Sequence, residues 1–364
     1  MDPRKKIAIV FGGRSTEHEI SLLSAQNVIK SLDSSKYEAV LIGIDKSGEW
    51  HLSFDALSLF SSDDASKITL HIDDTPVLLS QNANERILVS GKTGETLSKI
   101  DVIFPVLHGL YGEDGSIQGL ARLANIPCVG CSVLGSAIGM DKDIMKRLLR
   151  DADVAVADFV TIRPHTRDQF SYSAIEKNLG KELFLKPANL GSSVGVSRVD
   201  NAVDFEKALD YGFLYDPKVI VEEKITGREI ECAVLGNEIP ECSIPGEVIP
   251  KGGFYSYENK YLDESGAELL IPAQLTDEDQ ARIQALAIRT YQLLECEGLT
   301  RVDMFMQSDG KLIINEVNTI PGFTGISMYP KLWEYSGLSN VALVSKLIEL
   351  AIASHEKRNA LKID

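Results

Sequence analysis

No stretch of this 364-residue chain approaches ~18 consecutive apolar residues, so no segment is expected to span a membrane. The apolar opening Ile7–Phe11 is too short for a signal-peptide core and runs straight into a polar loop, which points to the cytoplasm. Basic runs are also missing, apart from Arg4-Lys5-Lys6. With 37 Lys and Arg against 53 Asp and Glu the formal net charge is −16, so neither nucleic acid nor an anionic membrane is an expected partner. Any phosphate ligand must then be held by local cations, metal ions and backbone amides. Cysteines number only five; Cys128 and Cys131 form a C-x-x-C, but no second pair exists and Cys232, Cys242 and Cys296 are scattered, so buried thiols are expected rather than a zinc or redox site. His18-Glu19 has no second histidine at the zinc-protease spacing. The P-loop pattern is absent too: Gly91-Lys92-Thr93 has Arg86 where the first glycine belongs. Internal repeats and low-complexity tracts are lacking.

What is present reads as an ordinary globular chain with room for two or three cores. Residues 5–140 alternate strand and helix signals. Lys6–Phe11 is a buried-type strand ended by Gly12-Gly13, and a helix starts near Thr16 with Glu19 at the capping-box spacing. Tyr37–Ile44 and Asp101–Val106 are further strands, the second feeding the glycine-rich loop 108–115 and a helix through Leu123. This is an α/β layer on a parallel sheet, with functional loops at the strand C-termini. The polar, irregular segment 52–99 reads as peripheral hairpins or a mobile insertion. A helix near Asp141–Arg150 leads to strands at Phe184–Pro187, Val196–Val199 and Lys218–Glu223, with a helix at Ala202–Tyr211. Beyond them come a strand at Glu229–Leu235, a long loop, a helix at Asp277–Glu295, a hairpin, and a final helix capped near Ser339 or Asn340.

The hairpin, LTRVDMFMQSDGKLIINEVNTIPGF from Leu299 to Phe323, is the most informative segment. Both arms alternate apolar and polar residues around Asp309-Gly310, a strong hairpin signal. Strand side chains repeat every two residues, so Arg301 and Asp303 share one face, as do Glu316 and Asn318 on the second arm. If the two faces coincide, hard oxygen donors and a fixed positive charge converge there, which suits Mg²⁺ and phosphate; a solvent-facing hairpin is the plain alternative. Lys186 ends an apolar strand before Pro-Ala-Asn-Leu-Gly-Ser-Ser-Val-Gly195, whose small residues would let backbone amides approach phosphate oxygens. Val219–Glu223, followed by Thr226-Gly-Arg-Glu229, could read an adenine edge and ribose hydroxyls, or be a solvated edge strand. The loop Gly252–Glu264 carries four aromatics and Lys260-Tyr261, and reads as a lid over a site or as a surface excursion. Glu17 and His108 fall at neighbouring strand ends, where a carboxylate could take a substrate ammonium or merely complement the first helix dipole.

Taken in order, the segments VFGGRSTEHEIS (10–21), LHGLYGEDGSIQG (107–119), GMDKDIMKRLL (139–149), FLKPANLGSSVGVSRV (184–199), VEEKITGREIECAVLG (221–236), FYSYENKYLDE (254–264) and RVDMFM…INEVNTIPGFTGISMYP (301–330) resemble the ATP-grasp superfamily and, within it, the D-alanine–D-alanine ligases. The resemblance spans essentially the whole chain. It implies an N-terminal Rossmann-like domain (1–140) and an α+β ATP-grasp fold in two parts (141–228 and 229–364), the second bearing the lid loop 250–267. The implied chemistry is phosphorylation of one D-alanine carboxylate by ATP, with attack by the amine of a second D-alanine, supplying peptidoglycan precursors. Residue by residue, it implies that Lys142 and Lys186 hold ATP phosphates beneath Ser192 and Ser193. Glu222, Glu223 and Glu229 serve adenosine, with backbone groups around Lys224 and Ile225 reading adenine. Asp303, Glu316 and Asn318 ligate two Mg²⁺ or Mn²⁺ ions. Glu17 takes the first ammonium with His108 beside it, Arg301 and the Gly322 amide face the oxyanion, and Ser327 and the Met328 amide hold the acceptor carboxylate. Lys260 and Tyr261 close the site, with Ser192, Tyr261 and Glu17 linked by hydrogen bonds. A homodimer is the expected assembly.

Tyr261 favours D-alanine as acceptor, since relatives that use D-lactate typically change this position. A different ATP-grasp carboxylate–amine ligase, or a D-alanine–D-lactate ligase, is the nearest alternative. A Rossmann dehydrogenase would need G-x-G-x-x-G where Gly12-Gly13-Arg14-Ser15 stands. A non-catalytic ATP-binding regulator would have no need for both the metal carboxylates and Arg301.

Overall fold

A computed structural model of the chain describes residues 3–53, 62, 64, 67–70, 75–82, 84–250 and 267–362. The N-terminal region is organised by β1 (Lys5–Gly12), α1 (His18–Lys30) and β2 (Tyr37–Ile44). β3 (Trp50–Ser53) turns back antiparallel on β2, whereas β7 (Val102–Val106) returns parallel to β1. The sheet order β3-β2-β1-β7 leaves β1 and β7 adjacent, with Phe11 opposite Val106. Strands covered on both faces must be apolar throughout, as Ile7–Phe11 and Val102–Val106 are. Between β3 and β7, the 52–99 segment contributes a separate antiparallel sheet of β4 (Val77–Leu79), β5 (Ile87–Ser90) and β6 (Thr96–Lys99).

α1 begins at His18, close to the expected start near Thr16, but Glu17 stands at the N-cap without a side-chain cap bond. Local bonds explain this, because the Glu17 amide donates to Ser15 Oγ (3.1 Å) and the Ser15 hydroxyl donates to the His108 carbonyl (2.7 Å). The Glu17 carboxylate is thereby released from helix capping for other work.

α2 (Ser116–Leu123), α3 (Val133–Met140) and α4 (Lys142–Asp151) follow. α3 has no counterpart in the sequence reading, since its glycines weaken the helical signal. They permit close packing instead: a Cβ on Gly135 would stand 2.4 Å from the Glu295 carbonyl oxygen.

The central region holds β8 (Phe159–Ile162), α5 (Tyr172–Leu179), β9 (Leu183–Pro187), β10 (Ser197–Val199), α6 (Ala202–Phe213) and β11 (Val219–Glu223), in an antiparallel sheet ordered β10-β9-β11-β8. It buries its own core, including Ile162, Leu185, Phe205, Leu209 and Val221.

The last region contains β12 (Arg228–Gly236), β13 (Glu241–Cys242), β14 (Gly246–Pro250), β15 (Ala267–Leu270), α7 (Asp277–Leu293), β16 (Gly298–Met306), β17 (Leu312–Asn318), α8 (Met328–Tyr335) and α9 (Asn340–Asn359). Its main sheet runs β15-β14-β12-β16-β17. α9 is capped by Ser339 and buries Leu343, Leu347, Ile348 and Ala351, the stripe expected from its spacing. That stripe joins Ile9, Phe104, Leu299 and Tyr329 in one continuous core, so the first and last regions share an interior that the central one does not. Among the described residues no single helix is long and apolar enough to cross a membrane. Residues 251–266, with Lys260 and Tyr261, lie outside the described residues, between the paired ends of β14 and β15.

Candidate active site

The two faces of the β16–β17 hairpin do coincide: Arg301 stands opposite Asn318, and Asp303 opposite Glu316. The loop between the arms is longer than Asp309-Gly310 alone, with Gly310 in the left-handed region at φ +81°. A β-bulge follows Asp303, whose next residue Met304 pairs with Ile314 and leaves Asn315 as the extra residue. A bulge re-aims neighbouring side chains. Here it brings Asn315 and Glu316 into one cavity, with Asn315 Oδ1 3.4 Å from Lys186 Nζ.

That cavity, about 430 Å³, lies between the central and C-terminal sheets. Around it stand Lys142, Lys186, Ser193, Glu222, Glu223, Lys224, Ile225 and Glu229, the whole set expected there apart from Lys260. β9 and β11 pair with Lys186 opposite Ile220, so Lys186 and Glu222 emerge two positions apart on one face. Lys186 donates to Glu222 Oε2 at 2.6 Å. The other oxygen, Oε1, lies 3.0 Å from Nζ of Lys146, a fully buried lysine on α4 that the sequence reading missed. Lys146 follows Lys142 by four positions, the helical spacing that could have revealed it. Burial is the largest influence on all three groups and opposes their charge. The two ammoniums nevertheless hold Glu222 below the usual carboxylate range, and Glu222 raises Lys186. Lys146, the deepest, is pulled down by burial despite Glu222.

Both oxygens of Glu222 face lysines, so its carboxylate is the counter-ion of two of the cavity's cations. Glu223 accepts the Asp158 amide through Oε1 (2.9 Å) and lines the cavity beside Glu229.

Lys142 links the glycine-rich loop to the hairpin. Its Nζ donates to the Leu190 carbonyl (2.7 Å) and lies 3.2 Å from Glu316 Oε2. In that loop Ser192 and Ser193 both adopt left-handed backbone, at φ +52° and +59°. Such conformations are uncommon for non-glycine residues and mark a loop held in shape by its surroundings. The Ser192 hydroxyl donates to Glu17 Oε1, joining the central region to the N-terminal one.

A second cavity of about 420 Å³ adjoins the first, and Gly191, Val248 and Glu316 line both. Glu17, His108, Ser192, Arg301, Asn318, Gly322, Ser327 and Met328 stand around it, as expected. Arg301 clamps Asp303 through two bonds of 2.7 Å, and its Nε is 3.0 Å from Glu231 Oε2. Asn318 Nδ2 donates to Asp303 Oδ2 at 3.0 Å. Glu231 was missed; it follows Glu229 by two and pairs with Asp303, which places it on the same sheet face. Asp303, Glu231, Glu316, Asn318 and Asn315 make an all-oxygen donor set beside Lys142 and Arg301, a composition that fits Mg²⁺ or Mn²⁺.

His108 is buried, and loss of hydration lowers its pKa. Its Nδ1 lies 3.1 Å from the Ile320 carbonyl, which can only accept, so Nδ1 carries the proton and Nε2 accepts from Ser24 Oγ at 2.9 Å. Ser24 Oγ in turn accepts the Phe323 amide (3.2 Å). His108 therefore holds the 320–323 loop in place, with both ring nitrogens engaged by protein. Partly buried Glu113, also missed, has its carboxyl pushed well above the usual range by loss of hydration and by the charge of Glu17.

At the far end, Ser327 caps α8 without a side-chain cap bond, leaving the helix's first amides directed outward. Its Oγ accepts from the Thr324 amide (3.0 Å), and a Cβ on Gly322 would approach that oxygen to 2.9 Å. Lys331, four positions beyond Ser327, adds a cation to the same cavity. Of the C-x-x-C, Cys131 is buried beside Thr300 Oγ1 (3.3 Å), while Cys128 is half-buried, its thiol pushed up to about 12 by burial.

Two family models match the chain. The D-ala D-ala ligase N-terminus matches residues 6–131, and the D-ala D-ala ligase C-terminus matches residues 148–349. The chain is 50% identical over 359 residues to the D-alanine–D-alanine ligase of Oceanobacillus iheyensis, covering 99% of this chain and 98% of that one. It is 48% identical over 357 residues to D-alanine–D-alanine ligase A of Salmonella typhimurium, with 98% of each chain covered. Among solved structures, the D-alanine-D-alanine ligase from Coxiella burnetii superposes with a TM-score of 0.82 at 37% identity, covering 98% of this chain and 97% of that one. The VanG D-Ala:D-Ser ligase from Enterococcus faecalis superposes with a TM-score of 0.85 at 38% identity, covering 96% of this chain and all of that one.

Proposed function

This chain belongs to the D-alanine–D-alanine ligase family, and from that premise we propose how its two cavities carry out the reaction. The protein joins two D-alanines in an ATP-dependent ligation that supplies peptidoglycan precursors. The observation that carries the mechanism is the shared wall: Glu316 and Gly191 line both cavities, so a phosphate in the first and a carboxylate in the second meet there.

ATP occupies the first cavity, its phosphates against Lys142, Lys186 and the 191–193 amides and its adenosine along 223–229. Glu222 keeps Lys186 charged and in place before nucleotide arrives. Asp303, Glu316 and Asn318 would hold Mg²⁺ or Mn²⁺ ions, which would supply neutralisation of phosphate charge when bound. The first D-alanine sets its ammonium on Glu17, whose orientation is fixed by Ser192. Its carboxylate oxygen attacks the terminal phosphorus as the bond to ADP breaks, giving an acyl phosphate. The second D-alanine sets its carboxylate on Ser327 and the outward amides of α8, with Lys331 adding positive charge. Its neutral amine attacks the acyl carbon; Arg301 and the Gly322 amide stabilise the resulting oxyanion. Loss of inorganic phosphate and of the amine proton leaves the dipeptide. Lys260 and Tyr261, outside the described residues, are assigned to closure over the acyl phosphate, which a water-excluded site protects.

The chain is divided here into 1–140, 141–228 and 229–364, and it works as a cytoplasmic homodimer drawing on the ATP pool. Sedimentation checks the dimer. The function is tested by incubating purified protein with ATP, Mg²⁺ and D-alanine and analysing products by mass spectrometry. D-alanyl-D-alanine is expected; phosphate release without dipeptide would overturn the assignment. Parallel reactions with D-lactate and D-serine test the acceptor, and D-alanine is expected to prevail.

A further inference from the structure

Away from both cavities, the turn joining β2 to β3 gathers Asp45, Glu49 and His51. Asp45 Oδ1 organises the turn, accepting the amides of Ser47 (2.8 Å), Gly48 (2.8 Å) and Glu49 (2.9 Å) and the Ser47 hydroxyl (2.7 Å). Its other oxygen, Oδ2, lies 3.9 Å from His51 Nε2, and Glu49 Oε2 lies 3.6 Å from the same nitrogen. His51 is only 6% exposed, and among the described residues neither of its ring nitrogens has a hydrogen-bond partner. Buried imidazoles are normally satisfied, so a ring aimed at two carboxylates yet bonded to neither calls for an explanation. The separations supply one. A direct hydrogen bond would close to about 2.7–3.2 Å. Two ligand atoms each about 2.0–2.2 Å from one metal ion instead stand roughly 3.3–3.9 Å apart at angles near or above tetrahedral.

We propose that Asp45 Oδ2, Glu49 Oε2 and His51 Nε2 form a site for a divalent transition ion of the zinc class, with water completing the coordination. An imidazole among the ligands selects such ions over Mg²⁺, which the all-oxygen set around Asp303 prefers. The site would brace a turn that leans on the Glu17 segment. Lys46 pairs with Glu19 at 2.6 Å, the Gly13 amide donates to the Ile44 carbonyl at 2.8 Å, and Gly48 packs against the Arg14 side chain.

The test titrates Co²⁺ into the full-length protein with ADP and excess Mg²⁺ saturating the nucleotide cavity, reading visible d–d absorption. One equivalent is expected, displaced by Zn²⁺ and without the near-ultraviolet band of thiolate ligation. Glu49 is exposed, so Glu49→Gln should fold normally, and it should weaken binding about tenfold or more. His51→Gln should abolish the bands. Absence of the bands in the wild-type protein would overturn the proposal. Bands unchanged in Glu49→Gln, or accompanied by thiolate absorption, would overturn it equally.

Discussion

The two adjoining cavities solve opposite electrostatic problems. In the nucleotide cavity the cations are compensated in advance: Lys146 and Lys186 share the buried Glu222, and Lys142 leans on Glu316. In the ligation cavity like charges are crowded. Glu17 sits near Glu113, and Asp303, Glu231 and Glu316 gather around Arg301. The first therefore has its cations compensated before any ligand arrives. The second holds an excess of carboxylates, which on the proposed mechanism would take an incoming ammonium and metal ions. Pre-neutralisation favours fixed geometry, and crowding favours turnover that depends on binding partners arriving.

Removing the cation that pairs with both Asp303 and Glu231 on the crowded side should have the largest effect. Arg301→Met is expected to lower kcat by about 10²–10³, the loss typical of an oxyanion donor; steady-state kinetics on a folded variant, verified by circular dichroism, measure it. Breaking the hub of the compensated side should act on stability instead. Glu222→Gln leaves the buried Lys146 ammonium and the half-buried Lys186 ammonium without their shared counter-ion and should destabilise the protein by about 3–5 kcal/mol in urea unfolding. Lys146→Met should cost less, because Glu222 retains Lys186.

Glu113 tests the crowding by pH. Its folded pKa lies above the ordinary value of 4.5. The folded state thus holds the proton more tightly than the unfolded chain, and stability falls as pH rises from about 4.5 through the folded value. Glu113→Gln removes that penalty, so its melting temperature should exceed the wild type's at pH 7, with the gain vanishing below about pH 4.5. A gain equal at both pH values would show that charge is not the cause. The smallest effect is expected at the rim: Lys331→Met should raise KM for the acceptor about fivefold, near the ~1 kcal/mol of a partly exposed charge pair, with kcat little changed.

The same contrast governs what could be read from the sequence. Lys186, Ser192 and Ser193 lie on the β9–loop–β10 unit and the 222–229 stretch joins the end of β11 to the start of β12, and alternation along these strands exposes them. Arg301 with Asp303 and Glu316 with Asn318 were legible as two faces, and the register that superimposes them confirms it. Asn315 was not, because a single-residue bulge in β17 leaves no periodic trace. Glu113, Glu231 and Lys331 were hidden for a different reason: each is one polar residue in a segment that reads as structural until distant segments surround it. The N-cap falls at Glu17 and not at Thr16 because tertiary bonds from Ser15 and Ser192 to the loop end and to Glu17 outweigh a local preference. α3 escaped notice because its glycines serve packing against 295 and 319, which composition alone cannot express.

The central claim is that phosphate and carboxylate meet at the wall formed by Glu316 and Gly191. The most direct measurement uses D-alanine labelled with ¹⁸O in its carboxylate, ATP and Mg²⁺, with mass spectrometry of the released phosphate. Formation of an acyl phosphate predicts one ¹⁸O carried into phosphate for each dipeptide made. Dipeptide accompanied by unlabelled phosphate would contradict it.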